Sequence, residues 1–165
     1  MKILRIKLFV CSGMATLKNN AYIFDSDRGG GEFYYINGST PIENVVCREI
    51  INTKKLTKIT NLNSLKRKII FPYYYVNNSA VVVPENEFKG KYPKAYSYFM
   101  SKKEILSTRD KGNGNYSEWS AYERGQSLEQ YKYKLFFPHI APSTPNFIIS
   151  RDKNLLFYNG LSHLR

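Results

Sequence analysis

The sequence predicts an α+β domain with mixed and antiparallel strands arranged around one principal helix. Three observations predict it. Short runs rich in Ile, Val, Phe and Tyr recur along the chain between Gly, Asn, Asp and Pro, the pattern of strands and turns. One longer segment, residues 93–109, carries helical periodicity instead. The chain has 165 residues, enough for one domain with a real core and too few for two ordinary ones. No internal repeat, low-complexity tract or linker divides it.

Residues 3–10 (ILRIKLFV) form the first predicted strand, ended by a turn at Ser12-Gly13. A second strand, 21–24, leads through Asp25-Ser26-Asp27 and the glycines at 29–31 to a third, 32–37, which Gly38 breaks. A glycine run can cradle phosphate, but no helix start follows at the right spacing, so this one reads as a hairpin turn. Residues 41–51 hold a short helix or turn with Ile42, Val45, Val46 and Ile50 as apolar positions, and 53–64 read as a loop. Strands 68–75 and 79–83 pair through Asn77-Asn78, residues that tolerate left-handed backbone. Val81-Val82-Val83 is expected to be buried, and one or two of the tyrosines at 73–75 to lie outside the core.

Residues 85–90 read as the turn before the helix. Pro93 is pre-organised for helix entry, and Ala95, Tyr98, Phe99, Ile105 and Leu106 share one face. Lys102 and Arg109 fall at the margin of that face. Either their stems lie along the core and the charges reach water, or the margin borders a bound polyanion. A Gly/Asn hinge at 112–115 precedes a run with the only Trp, and strands at 133–137, 147–150 and 155–158 complete the chain.

The formal net charge is +12, from 25 Lys and Arg against 13 Asp and Glu, and the isoelectric point is about 9.6. A globular domain this basic usually meets nucleic acid or another acidic surface. Between Arg48 and Lys68 stand seven cations, Lys66 and Arg67 among them, and one acid. Such a run is either a solvated face or a set of phosphate contacts. Cys11 and Cys47 are 36 positions apart and the two His are distant from them, so free thiols in a reducing cytoplasm are expected and a structural zinc is not. Arg5 and Lys7 interrupt the apolar opening, which excludes a secretory h-region. No apolar stretch approaches the roughly 20 residues that span a bilayer. A soluble cytoplasmic protein without a membrane partner is expected.

Four segments carry a resemblance. They are Ser12-Gly13-Met14-Ala15-Thr16-Leu17 before Ala21-Tyr22-Ile23-Phe24; Lys68-Ile69-Ile70-Phe71-Pro72-Tyr73; Tyr92-Pro93-Lys94-Ala95-Tyr96-Ser97-Tyr98 continuing to Leu106, Arg109, Asp110 and Lys111; and Trp119 with Tyr122, Arg124, Gln126, Ser127 and Leu128. In this order they resemble the TaqI-like C-terminal specificity domain, the target-recognition domain of adenine-N6 DNA methyltransferases in restriction–modification systems. The likeness covers residues 12–158. One departure stands out: Gly125 follows Arg124, where the family tends to have Gly-Arg.

The resemblance implies that the whole chain, 1–165, is a double-stranded DNA recognition domain, truncated at either end or encoded apart from its catalytic partner. Lys18, Lys66, Arg67, Lys102, Arg109, Lys111, Trp119, Arg124, Gln126 and Ser127 become the candidate DNA contacts. Arg suits guanine, Gln suits adenine, and Ser suits either kind of base edge. Ser127 has a second reading, as the cap of a short helix at 128–131. The Asn-Pro-Pro-Tyr motif and the glycine-rich turn for S-adenosylmethionine are missing from this sequence. Catalysis and that cofactor are therefore expected in a methyltransferase domain or subunit outside it. Two other readings stand beside this one. The chain docks a methyltransferase or nuclease subunit, or Glu87-Phe88-Lys89 belongs to a Mg²⁺-dependent endonuclease that also needs a second carboxylate such as Asp25 or Asp27.

Overall fold

A computed structural model describes residues 9–26, 29–58, 61–112, 114–140 and 146–164. The fold is mixed α+β. Strand β1 (Phe9–Ser12) is followed by a helical turn α1 (Asn19–Tyr22), β2 (Ile23–Phe24), β3 (Gly29–Gly30), β4 (Phe33–Ile36) and β5 (Thr40–Glu43). Then come β6 (Cys47–Asn52), β7 (Lys66–Ile70) and the hairpin β8 (Tyr73–Val76) and β9 (Ser79–Val82). Helices α2 (Glu85–Lys91), α3 (Pro93–Ser101) and α4 (Lys103–Ser107) lie in the middle of the chain. Strands β10 (Lys134–Phe137), β11 (Ile148–Ser150), β12 (Leu156–Tyr158) and β13 (Leu161–Leu164) end it.

A four-stranded sheet in the order β12-β6-β7-β2 lies between two cores. Only its β12–β6 pair is parallel. Alternation along a strand sends neighbours to opposite faces, so Ile50 and Leu156 enter the larger core while Ile51 and Phe157 enter the smaller. The smaller core is completed by Leu56, Leu65 and by Phe136 of the antiparallel sheet β1-β13-β10-β11. The larger holds Phe71, Phe88, Ala95, Phe99 and Leu106, with Tyr22 and Tyr122 edge to face at 5.2 Å. Burial pushes the Tyr73 hydroxyl up to about 12 and raises Tyr122 well above its ordinary value. These phenols are neutral parts of the scaffold.

Several elements differ from expectation. Residues 41–51 contain no α-helix: β5 and β6 are joined by a single 3₁₀ turn over 44–46, which buries Val46 and leaves Val45 exposed. The strand expected at 68–75 breaks at Phe71-Pro72, because Pro72 has no N–H for a ladder, and the two halves join different sheets. In β9 Val81 is exposed and only the following Val83 is buried. Residues 85–90 are helix α2 rather than a turn: Glu85 and Glu87 sit in the first turn and Lys89 and Lys91 in the last, complementing the helix dipole. The principal helix stops at Lys102 (φ −107°, ψ 1°) and resumes as α4. That break turns Ile105 out to solvent while Leu106 stays buried. The first expected strand falls partly outside the described residues, and its described part continues through Ser12. The Asn77-Asn78 turn is present, both residues left-handed (φ 50° and 67°), and Tyr74 is the exposed tyrosine of its triplet.

Candidate nucleic-acid interface

Arg109 is only 2% exposed. Its Nε donates to the Leu106 carbonyl at 2.9 Å, Nη1 to the Tyr22 hydroxyl at 2.9 Å and to the Ala121 carbonyl, and Nη2 to the Trp119 carbonyl at 2.6 Å. The Tyr116 ring centroid lies 4.1 Å from its guanidinium carbon. These contacts tie residues 116–122 to the end of α4, so Arg109 is a scaffold group and not a surface contact. Directly after it, Asp110, Lys111 and Gly112 are all left-handed (φ 47°, 56° and 82°), which ends the helix and leaves Lys111 exposed.

The run 119–128 packs along the 12–16 turn. The Arg124 N–H donates to the Ala15 carbonyl at 3.1 Å, and Gln126 Nε2 donates to the Gly13 carbonyl at 3.1 Å. Ser127, buried and left-handed (φ 61°), donates its hydroxyl to the Ser12 carbonyl at 2.7 Å. No helix follows it, so Ser127 neither caps nor faces solvent; its hydroxyl fastens the two segments. Gly13 is needed where it is: a Cβ there would sit 2.7 Å from the Phe157 carbonyl oxygen. Trp119 is half-buried, edge-on to Tyr96 and Phe99 with the Lys103 ammonium 5.0 Å from its ring. Arg124 keeps an exposed side chain, paired with Glu123 at 3.0 Å.

Strand alternation divides the basic run. Lys66 and Lys68 point to one face of β7 and both bind Glu49, at 2.7 and 3.2 Å. Arg67 points to the other face and forms a two-pronged pair with Asp25 at 2.6 and 3.0 Å. Lys66 therefore belongs to a cross-strand cluster in which two lysines share the Glu49 carboxylate, apart from Arg67.

Arg67 lines an open groove of about 1000 Å³ between β2, the β4–β5 hairpin and α3. Helix α3 faces it with Lys94, Ser97, Tyr98, Ser101 and Lys102, a stripe at i, i+3, i+4, i+7 and i+8. Glu43 holds the helix there, accepting the Lys94 and Ala95 N–H groups at 2.7 and 2.9 Å. A carboxylate so placed stabilises a helix start by about 1 kcal/mol. Lys102 also borders a neighbouring depression with Lys18. Lys18 is displayed by a turn in which the buried Thr16 hydroxyl accepts the Lys18 N–H at 3.2 Å and donates to Asn19 Oδ1 at 2.7 Å. Among the described residues, no carboxylate lies within ion-pair distance of Lys18, Lys94 or Lys102.

The structure thus brings Lys18, Lys102 and Arg67 to one surface, with Arg124 attached to the same 12–18 segment. Of the α3 stripe, Lys102 is among the sequence's candidate contacts, whereas Lys94, Ser97 and Ser101 are not, although their helical spacing could have revealed them. Glu87 is paired with Lys91 on α2 at 2.7 Å. Among the described residues, no group of three His, Cys, Asp or Glu could hold a metal ion, and no helix is long and apolar enough to cross a membrane. Both cysteines are free thiols. No family model and no curated protein matches the chain.

Proposed function

We propose that this chain is a sequence-specific reader of double-stranded DNA, a target-recognition domain acting in the cytoplasm. Methyl transfer, with its S-adenosylmethionine, is left to a separate catalytic domain or subunit of an adenine-N6 methyltransferase. One observation carries the reading: Lys18, from the turn before α1, and Lys94 and Lys102, from the start and end of α3, border one open surface without carboxylate partners. Unpaired cations on a shared surface release counterions when phosphates replace water. The four segments that resemble specificity domains support it too, since the first and last of them pack directly against each other.

Arg124 is the side chain placed to read a base, because its backbone is fixed by Ala15 while its guanidinium stays exposed. Selection from a random duplex pool should return one recurrent site. Arg124→Ala should relax one position of that site by about 1–3 kcal/mol, whereas Lys102→Ala should weaken all sequences alike. A pool that yields no recurrent sequence contradicts the proposal.

The docking alternative draws on a different feature. The β1-β13-β10-β11 sheet has exposed Val10 and Ile149, 58% and 68% accessible, in one cross-strand row with Leu135. Salt-insensitive association with a methyltransferase or nuclease subunit, without DNA binding at low salt, would favour it.

A further inference from the structure

We propose that the groove facing α3 takes unpaired nucleotides, a short single-stranded stretch whose bases have left the stack. The inference rests on the nucleic-acid reading of this surface and extends it from paired to unpaired strands.

The groove combines two features that serve single strands together. Cations line its long side: Lys94 and Lys102 are eight residues apart on the α3 side, about 12 Å at the helical rise, which matches a rail following one sugar–phosphate backbone. Aromatic rings line it as well, Tyr98 from α3 and Tyr35 from β4. A basic groove with aromatic platforms binds single strands without strong sequence preference, because every base has a face to stack. In a duplex those faces are covered and only base edges are offered.

The polar lining is suited to the same ligand. Asn20 and Asn37 present amides that can pair with exposed Watson–Crick edges, and Ser97 presents a hydroxyl. Asn37 and Gly38 are the left-handed tip (φ 51° and 71°) of the β4–β5 hairpin, closed by the Ser39 N–H on the Ile36 carbonyl at 3.2 Å. The lining has one carboxylate, Asp25, and Arg67 neutralises it. About 1000 Å³ is the upper end of the range for small-ligand pockets, room for a few nucleotides lying in the groove rather than for a duplex seated in it.

The test is fluorescence anisotropy with labelled oligonucleotides of about eight nucleotides, as deoxyribose and ribose versions, against the same sequence as a duplex. The full chain and Tyr98→Ala, Tyr35→Ala and Lys94→Ala are compared. Tyr35 and Lys94 sit at the groove surface, so their variants keep the test valid if Tyr98→Ala folds poorly. Single strands should bind, each tyrosine variant should lose about tenfold, and Lys94→Ala should lower the salt slope by about 0.7. Tighter binding of the ribose or the deoxyribose form identifies which strand is the ligand; either supports the site. Single-strand binding that these variants leave unchanged overturns the inference. So does duplex binding without single-strand binding, which leaves the duplex reading standing. Binding of neither overturns both.

Discussion

Arg109 places a guanidinium in the protein interior with carbonyls and a tyrosine hydroxyl as its acceptors. Its planar fork suits this task, since one side chain must reach Leu106, Trp119, Ala121 and Tyr22 in different directions. Lysine offers no such fork. Arg109→Lys should therefore lower stability by about 3 kcal/mol, measured by urea unfolding followed through Trp119, the only tryptophan. Unchanged stability would show that the 116–122 segment holds itself. In sequence this arginine reads as a cation at the margin of a helix, because nothing local shows that the chain returns over it ten residues later. Ser127 teaches the same lesson: its partner, Ser12, is 115 positions away.

At the scale of elements, local signals succeed where the pattern is self-contained. The Pro93 start of α3, the Asn77-Asn78 turn and strands β10 to β12 are all legible, because periodicity and turn chemistry act within a few residues. They fail where the determinant is distant. The charge on β7 looks like one basic patch until pairing with β6 brings Glu49 between Lys66 and Lys68 and strand alternation sends Arg67 the other way. Strand β10 contains another such case, Lys134, 1% exposed and donating to the Lys153 and Leu155 carbonyls at 2.9 and 2.7 Å. Burial pushes its ammonium down from 10.5 to about 8, with Asp152 and Cys11 opposing. Below pH 8 the folded and unfolded chains both hold the proton, and the cost of the buried charge is present in full. Between about 8 and 10.5 the unfolded chain holds more protons, so this group makes stability rise with pH. The difference in unfolding free energy between wild type and Lys134→Met, followed across that window, should grow in favour of wild type. A flat difference would mean that the ammonium is effectively solvated.

Across the whole molecule, one central sheet separates two cores, and the groove lies where α3 and the β4–β5 hairpin meet the β2 edge of that sheet. Composition made a polyanion partner the natural expectation, and sequence periodicity made the α+β class legible. Neither could show which cations remain unpaired after folding. Of the candidate contacts, Arg109 and Ser127 are internal and Lys66 is paired with Glu49, while Lys18, Lys102, Lys111 and Arg124 remain on the surface, joined there by Lys94. The measurement that tests duplex recognition most directly is the salt dependence of affinity for duplex DNA. Three phosphate contacts, from Lys18, Lys94 and Lys102, predict a slope of log K against log salt of about −2.7, about −0.9 for each, which should fall to about a third in magnitude in the Lys18→Ala, Lys102→Ala double variant. A slope near zero, or no duplex binding at low salt, would contradict it.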